Sequence, residues 1–188
     1  MKSICVFCGS SKGENPIYAV SAQAVGRYLA QNGIRLIYGG GAIGLMGEVA
    51  DSALEAGGQV IGVITKSLMH KEVGHQGLTE LHIVDTMHER KALMVSLADA
   101  FIALPGGFGT FDELFEVLTW RQLGIHNKPI GVLNVEEYFD CLLAFADHMV
   151  TEKFVHSAHR EMLKVADEIS VLLKLMQNSD APDVEKWV

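Results

Sequence analysis

The segment Val60-Ile61-Gly62-Val63-Ile64 is apolar at every position and rich in β-branched side chains. A strand with one wet face alternates apolar and polar residues, so an unbroken run marks a strand buried on both faces. A sheet covered by helices on both sides is one arrangement that meets this demand. Strand-like runs are read at 3–8, 34–38, 59–64, 81–85, 100–104 and 129–133, with a weaker one at 163–166. Amphipathic helical patterns fall between them. Ile17, Val20, Ala24, Val25 and Tyr28 are expected to line one face of the first helix, and Phe111, Leu114, Phe115 and Leu118 one face of the helix after residue 104. Asn32-Gly33, Gly57-Gly58 and Gly124 read as helix stops. The alternation predicts a parallel sheet with right-handed crossovers: a doubly wound, Rossmann-like α/β fold with helices on both faces. One domain is expected over residues 1–177, with a frayed or surface tail at 178–188.

The chain has 188 residues, enough for one domain with a sizeable core. Its net charge of −8 argues against a general nucleic-acid binder, which would show a basic face. No apolar run approaches the roughly 20 residues of a membrane span. The opening Met-Lys-Ser-Ile-Cys-Val-Phe-Cys-Gly reads as a first strand rather than a signal peptide, so a cytoplasmic protein is expected. Cys5 and Cys8 form a C-x-x-C, but no second pair completes a zinc site, and Cys5 falls within a buried strand. Both are expected to be structural, and neither metal nor organic cofactor is expected.

Ligands of such sheets bind at the carboxyl ends of the strands. Three glycine-rich turns are placed there: "CGSSKG" (8–13), "YGGGAIGLMG" (38–47) and "PGGFGT" (105–110). Glycine lets a backbone approach an anion closely, and a helix N-terminus supplies unpaired N–H groups and partial positive charge. A shared phosphate-bearing ligand follows, with candidate contacts at Gly9, Ser10, Gly40, Gly41, Gly44, Met46, Gly106, Gly107, Phe108, Gly109 and Thr110. The second turn also satisfies G-x-G-x-x-G, but it follows the second strand, and the next strand ends in Thr65-Lys66 where a ribose-binding acid would be needed.

Thr110-Phe111-Asp112-Glu113 fits a capping box, with Thr110 as N-cap and Glu113 reaching back. The box does not account for Pro105-Gly106-Gly107 and Gly109 just before it. A carboxylate so placed is a poor general acid, but it suits stabilisation of a developing cation or activation of water. "TMHERKALM" (86–94) puts Arg90 and Lys91 at a helix start, where the dipole disfavours cations; a solvated helix face and a phosphate contact both fit. His88 stands alone there, and the other histidines show no metal-ligand spacing.

"PGGFGTFDE" matches P-G-G-x-G-T-x-x-E and occurs with "MHERK", "FCGSS" and "YGGGAIGLMG". In that combination and order the chain resembles the LOG (Lonely Guy) family, the cytokinin riboside 5′-monophosphate phosphoribohydrolases, over roughly residues 3–165. Some members of that family carry the label lysine decarboxylase. The resemblance implies hydrolysis of the N-glycosidic bond of a nucleoside 5′-monophosphate to a free adenine-type base and ribose 5-phosphate. It implies Arg90 and Glu113 as the catalytic residues. It implies substrate contacts at Glu72, Lys91, the run from Gly107 through Phe111 and Asp112, and Thr119. It also implies a homodimer, for which Met94, Trp120 and Phe115 are candidate contacts if they are not core. The stretch 72–80 fits the family loosely, which leaves base specificity open. Three alternatives remain: a general AMP or pyrimidine nucleotide nucleosidase, a non-catalytic carrier of a nucleotide-like cofactor, and a decarboxylase that would need pyridoxal phosphate on Lys91 or Lys128.

Overall fold

The computed structural model describes residues 1–69 and 73–179. Seven parallel strands form one sheet: β1 (Ser3–Phe7), β2 (Arg35–Tyr38), β3 (Val60–Thr65), β4 (Glu80–Val84), β5 (Ala100–Ala103), β6 (Ile130–Leu133) and β7 (Leu163–Ala166). Each lies within one or two residues of its sequence expectation. The spatial order is β4-β3-β2-β1-β5-β6-β7. The chain thus winds outward from β1 to one edge, returns to the centre, and winds outward to the other. Between β1 and β5 the crossovers diverge, and the carboxyl ends of those two strands leave a crevice.

Strands β1, β3, β5 and β6 are buried at every position because their side chains alternate into two separate cores, whereas the edge strand β4 is half-buried or exposed throughout. Ile4 and Val6 of β1 enter one, with Leu36, Tyr38 and Ile102. Cys5 and Phe7 enter the other, with Ile37, Val63 and Phe101. Cys5, Cys8 and Cys141 are all thiols, not disulfides. Burial pushes the Cys5 thiol well up, and the nearby Glu113 adds to that.

Helices α1 (Ile17–Gln31), α2 (Gly44–Glu55), α3 (Lys66–Met69), α4 (Met87–Leu97), α5 (Phe108–Gln122), α6 (Asp140–Thr151), α7 (Ser157–Arg160) and α8 (Ile169–Gln177) flank the sheet. The expected face of α1 is rotated. Ala22, Val25, Gly26 and Leu29 are buried, while Val20 is 51% exposed. The reason is a close crossing with α2: a Cβ on Gly26 would lie 2.3 Å from the Ser52 hydroxyl and the Val49 carbonyl. Small residues make that contact, and a pattern drawn from large apolar side chains points elsewhere. Phe115 is likewise turned out from α5, which buries the expected Leu114 together with Val117. At the start of the expected tail Arg121 Nη2 donates to the Ser179 hydroxyl at 3.0 Å, and residues 180–188 lie outside the described residues.

Candidate active site

The turns after β1 and β5 meet at the crevice, where the Gly9 amide donates to the Pro105 carbonyl at 3.1 Å. The turn after β2 closes the third side, with the Leu45 amide on the Gly9 carbonyl at 3.0 Å. Gly44 makes this junction possible. Its φ is +62°, and a Cβ there would fall 2.2 Å from the Ser10 carbonyl carbon. The resulting cleft of 210 Å³ is floored by Cys8, Gly9, Ser10 and Met46. The N-terminal turn of α5 forms one wall, through Gly107, Phe108, Gly109 and Thr110, and Arg90 and Glu113 form another.

Helix α5 begins earlier than the sequence motif suggests. Its N-cap is Gly107, in an extended conformation with no side-chain cap. Thr110 is therefore inside the first turn, and Glu113 lies one turn further on. The capping-box expectation for these two residues is wrong. Chain extension through Gly107 carries the backbone straight into helical geometry at Phe108, so Thr110 is too late to cap. The residues that carry the leading amides of α5 line the cleft, and its N-cap makes no side-chain hydrogen bond, an arrangement suited to binding an anion. A Cβ on Gly107 or Gly109 would meet nothing within 4 Å, so neither glycine is required by packing. Gly106 is different: a Cβ there would lie 2.1 Å from the Thr110 hydroxyl and 2.8 Å from the Gly9 nitrogen.

A capping box does exist, on α4. The Thr86 hydroxyl accepts from the Glu89 amide at 3.1 Å and the Glu89 carboxylate accepts from the Thr86 amide at 3.1 Å. It fixes the first turn of α4, and Arg90 follows at once. Arg90 is 5% exposed. Its Nε donates to the Val63 carbonyl at 2.9 Å, its Nη2 to the Gly39 carbonyl at 3.0 Å, and its Nη1 to Glu113 Oε1 at 3.3 Å. Two strand ends thus hold the guanidinium, and the guanidinium holds the carboxylate. The cost of burying this charge is offset by paired, directed partners. The solvated-face reading of Arg90 is excluded.

The other expected site residues divide. Lys91 points away from the cleft to Glu116 at 2.9 Å and Asp112 at 3.1 Å. Burial pulls its ammonium pKa down, but the two carboxylates outweigh this and the value is raised. Phe111 packs with Phe139 against the core. Thr119 is exposed and borders an apolar groove beside α6. Gly40, at φ +77°, and Gly41 serve the backbone: Gly41 pairs with Gly74, and the Gly40 carbonyl accepts from the His75 amide at 3.0 Å. Glu72 lies outside the described residues. Cys8, read as purely structural, lines the cleft, and Gly39 was missed although a Cβ there would sit 2.1 Å from Arg90 Nη2. Among the described residues no lysine lines the cleft, and the Lys128 ammonium donates to the Val95 carbonyl at 2.7 Å. Neither lysine considered for a Schiff base is therefore placed for one.

A family model described as "Possible lysine decarboxylase" matches residues 46–176. The chain is 50% identical over 169 residues to a cytokinin riboside 5′-monophosphate phosphoribohydrolase of Rhodococcoides fascians, covering 89% of this chain and 85% of the relative. It is 48% identical over 176 residues to the Arabidopsis thaliana enzyme of that name designated LOG2, covering 94% and 83%. Among solved structures it resembles the molybdenum cofactor carrier protein of Chlamydomonas reinhardtii, with a TM-score of 0.68 at 19% identity over 94% of this chain and 98% of that one, a likeness of fold alone.

Proposed function

The chain belongs to the LOG family of cytokinin riboside 5′-monophosphate phosphoribohydrolases, and from that premise we propose how its cleft works. It is an N-glycosyl hydrolase that splits N6-modified adenosine 5′-monophosphates into the free base and ribose 5-phosphate. The observation that carries this reading is the Arg90–Glu113 pair, at 3.3 Å, beside the open N-terminus of α5.

The 5′-phosphate would rest on the leading amides of α5, with Thr110 beneath them. That places the sugar toward Glu113. Breaking the glycosidic bond builds positive charge at C1′ in an oxocarbenium-like transition state. The Glu113 carboxylate, 12% exposed, stabilises that charge across little solvent and accepts a proton from the water that attacks C1′, while the departing base keeps the bonding electron pair and takes its proton from solvent. Arginine does not give up its proton in proteins, so Arg90 is an anchor for Glu113 and a hydrogen-bond donor rather than a general acid.

Two finer points join the reading. The apolar groove of 230 Å³ lined by Phe115, Leu118, Leu142 and Met149 is proposed as the seam of a homodimer, which would put Thr119 at the interface. Met94 is core and takes no part. A mass measurement at micromolar concentration checks the dimer. No described helix is long and apolar enough to cross a membrane, and three cysteine thiols suit a reducing compartment such as the cytoplasm.

The test is chromatographic detection of base after incubation with AMP and with isopentenyladenosine 5′-monophosphate, with both nucleosides and Glu113→Gln alongside. Base is expected from the monophosphates only, with kcat lowered roughly 10²–10⁴-fold in the variant. A faster rate on AMP would shift the reading to a general AMP or pyrimidine nucleotide nucleosidase. Binding without any release would sink the hydrolase.

A further inference from the structure

The peptide joining Gly106 to Gly107 sits at the entrance of the anion site. Neither flanking residue has a Cβ to resist its rotation. The unit is trans, so its carbonyl oxygen and amide hydrogen point in opposite directions. Gly107 leads α5 and lines the cleft. In one orientation its amide joins the donors of the helix start. In the flipped one the Gly106 carbonyl faces the anion and repels it.

Tyr138 settles which orientation holds. Its hydroxyl donates to the Gly106 carbonyl at 2.5 Å. The ring borders a second hollow, which shares Gly9, Ser10 and Gly107 with the cleft but contains neither Arg90 nor Glu113. The Gly106 oxygen is thereby drawn toward that hollow, and the Gly107 amide is turned the other way.

The chain spends conformational energy to deliver this ring. Glu136 and Glu137, just before it, have φ of +48° and +57°, which side chains other than glycine rarely adopt. Asn134 braces the turn: its side-chain oxygen accepts from the Phe139 amide and its nitrogen donates to Asp140, both at 2.8 Å. The Tyr138 ring, 37% exposed, packs edge-on against Tyr18, at 5.6 Å, and Phe139, at 5.1 Å. A strained, braced turn ending in a single hydroxyl on one glycine carbonyl is a built contact.

We infer that Tyr138 is a positioning residue for phosphate recognition, holding the Gly106–Gly107 peptide with its amide toward the 5′-phosphate. This rests on the reading that the α5 N-terminus takes the substrate phosphate. The test is Tyr138→Phe, which keeps the ring and deletes the hydroxyl. Ribose 5-phosphate and inorganic phosphate are titrated calorimetrically, and KM and kcat are measured on AMP and on isopentenyladenosine 5′-monophosphate. Both titrations are expected to weaken about tenfold, with KM rising alike, while kcat stays within about twofold of wild type and the melting temperature is unchanged. Asn134→Ala should weaken phosphate binding too, and add nothing in the Tyr138→Phe background. An unchanged Kd for ribose 5-phosphate, or a loss confined to kcat, overturns the proposal. So does a loss of affinity that appears only with a fall in melting temperature. If the variant weakens phosphate binding but wild type releases no base, the hydrolase reading fails and the positioning role stands. If wild type turns over and the variant binds as well as wild type, the positioning role alone fails.

Discussion

A single methyl on Gly39 would occupy the place of Arg90 Nη2, 2.1 Å away. That nitrogen also donates to the Gly39 carbonyl, so moving it away breaks a buried hydrogen bond. Gly39→Ala is therefore expected to displace Arg90, release Glu113 and reduce kcat by at least about 10²-fold, while destabilising the fold by about 1–3 kcal/mol. Kinetics beside thermal melting check both; wild-type kcat in this variant would show that the Arg90 anchor is dispensable. Arg90 and Glu113 were legible in the sequence through their motifs. Gly39 was not, since its neighbours Gly40 and Gly41 look identical to it in the chain, and only the approach of a side chain 51 residues away distinguishes it. Tyr138 was hidden for the same reason: nothing near it in sequence points to Gly106.

At the scale of the element, α5 combines two demands. As a helix it would gain from alanine in its first turn, because glycine there costs up to about 1 kcal/mol of backbone entropy. As an anion site it needs that space empty. Gly109 tests which demand rules. Its Cβ would meet no protein atom within 4 Å, so Gly109→Ala should leave the melting temperature unchanged or raise it slightly. The same methyl projects where the phosphate is expected, and KM should rise about tenfold. A KM equal to wild type would move the phosphate elsewhere. The misplaced capping box belongs to this scale too. T-x-x-E occurs at Thr86 and again at Thr110, and local sequence cannot say which threonine stands outside a helix. The strand-to-helix path decides that, and the genuine box at Thr86–Glu89 serves Arg90.

For the whole molecule, acid is expected to loosen the fold before it reaches the carboxylates. His126 packs its ring 5.4 Å from Phe101. Burial pushes its pKa below the ordinary imidazole value, and Lys128 adds to this. The unfolded chain then binds the proton more readily than the folded one. The stabilisation is complete above the unfolded value of about 6.5 and is lost as pH falls below it. His126→Gln should flatten the dependence of melting temperature on pH between about 7 and 5. An unaltered slope would assign the effect to other groups. Asp99, held low by the amides of Lys2 and Ser3, acts in the same direction, but only further down in the carboxylate range.

Periodicity in the chain was sufficient for the seven strands and their parallel arrangement. Continuous apolar runs between amphipathic helical stretches suit strands of a sheet covered on both faces. The family resemblance carried by the motifs singled out Glu113 and Arg90, and the structure brings the two together at the cleft. What depended on the tertiary structure was every relation between segments distant in sequence. Three separate elements hold Arg90, Gly44 fits against Ser10, α1 turns its small residues to α2, and Tyr138 reaches Gly106. Such contacts are set by steric fit and directed hydrogen bonds after the chain has closed on itself. Their energies depend on tenths of an ångström between residues that local patterning treats as independent.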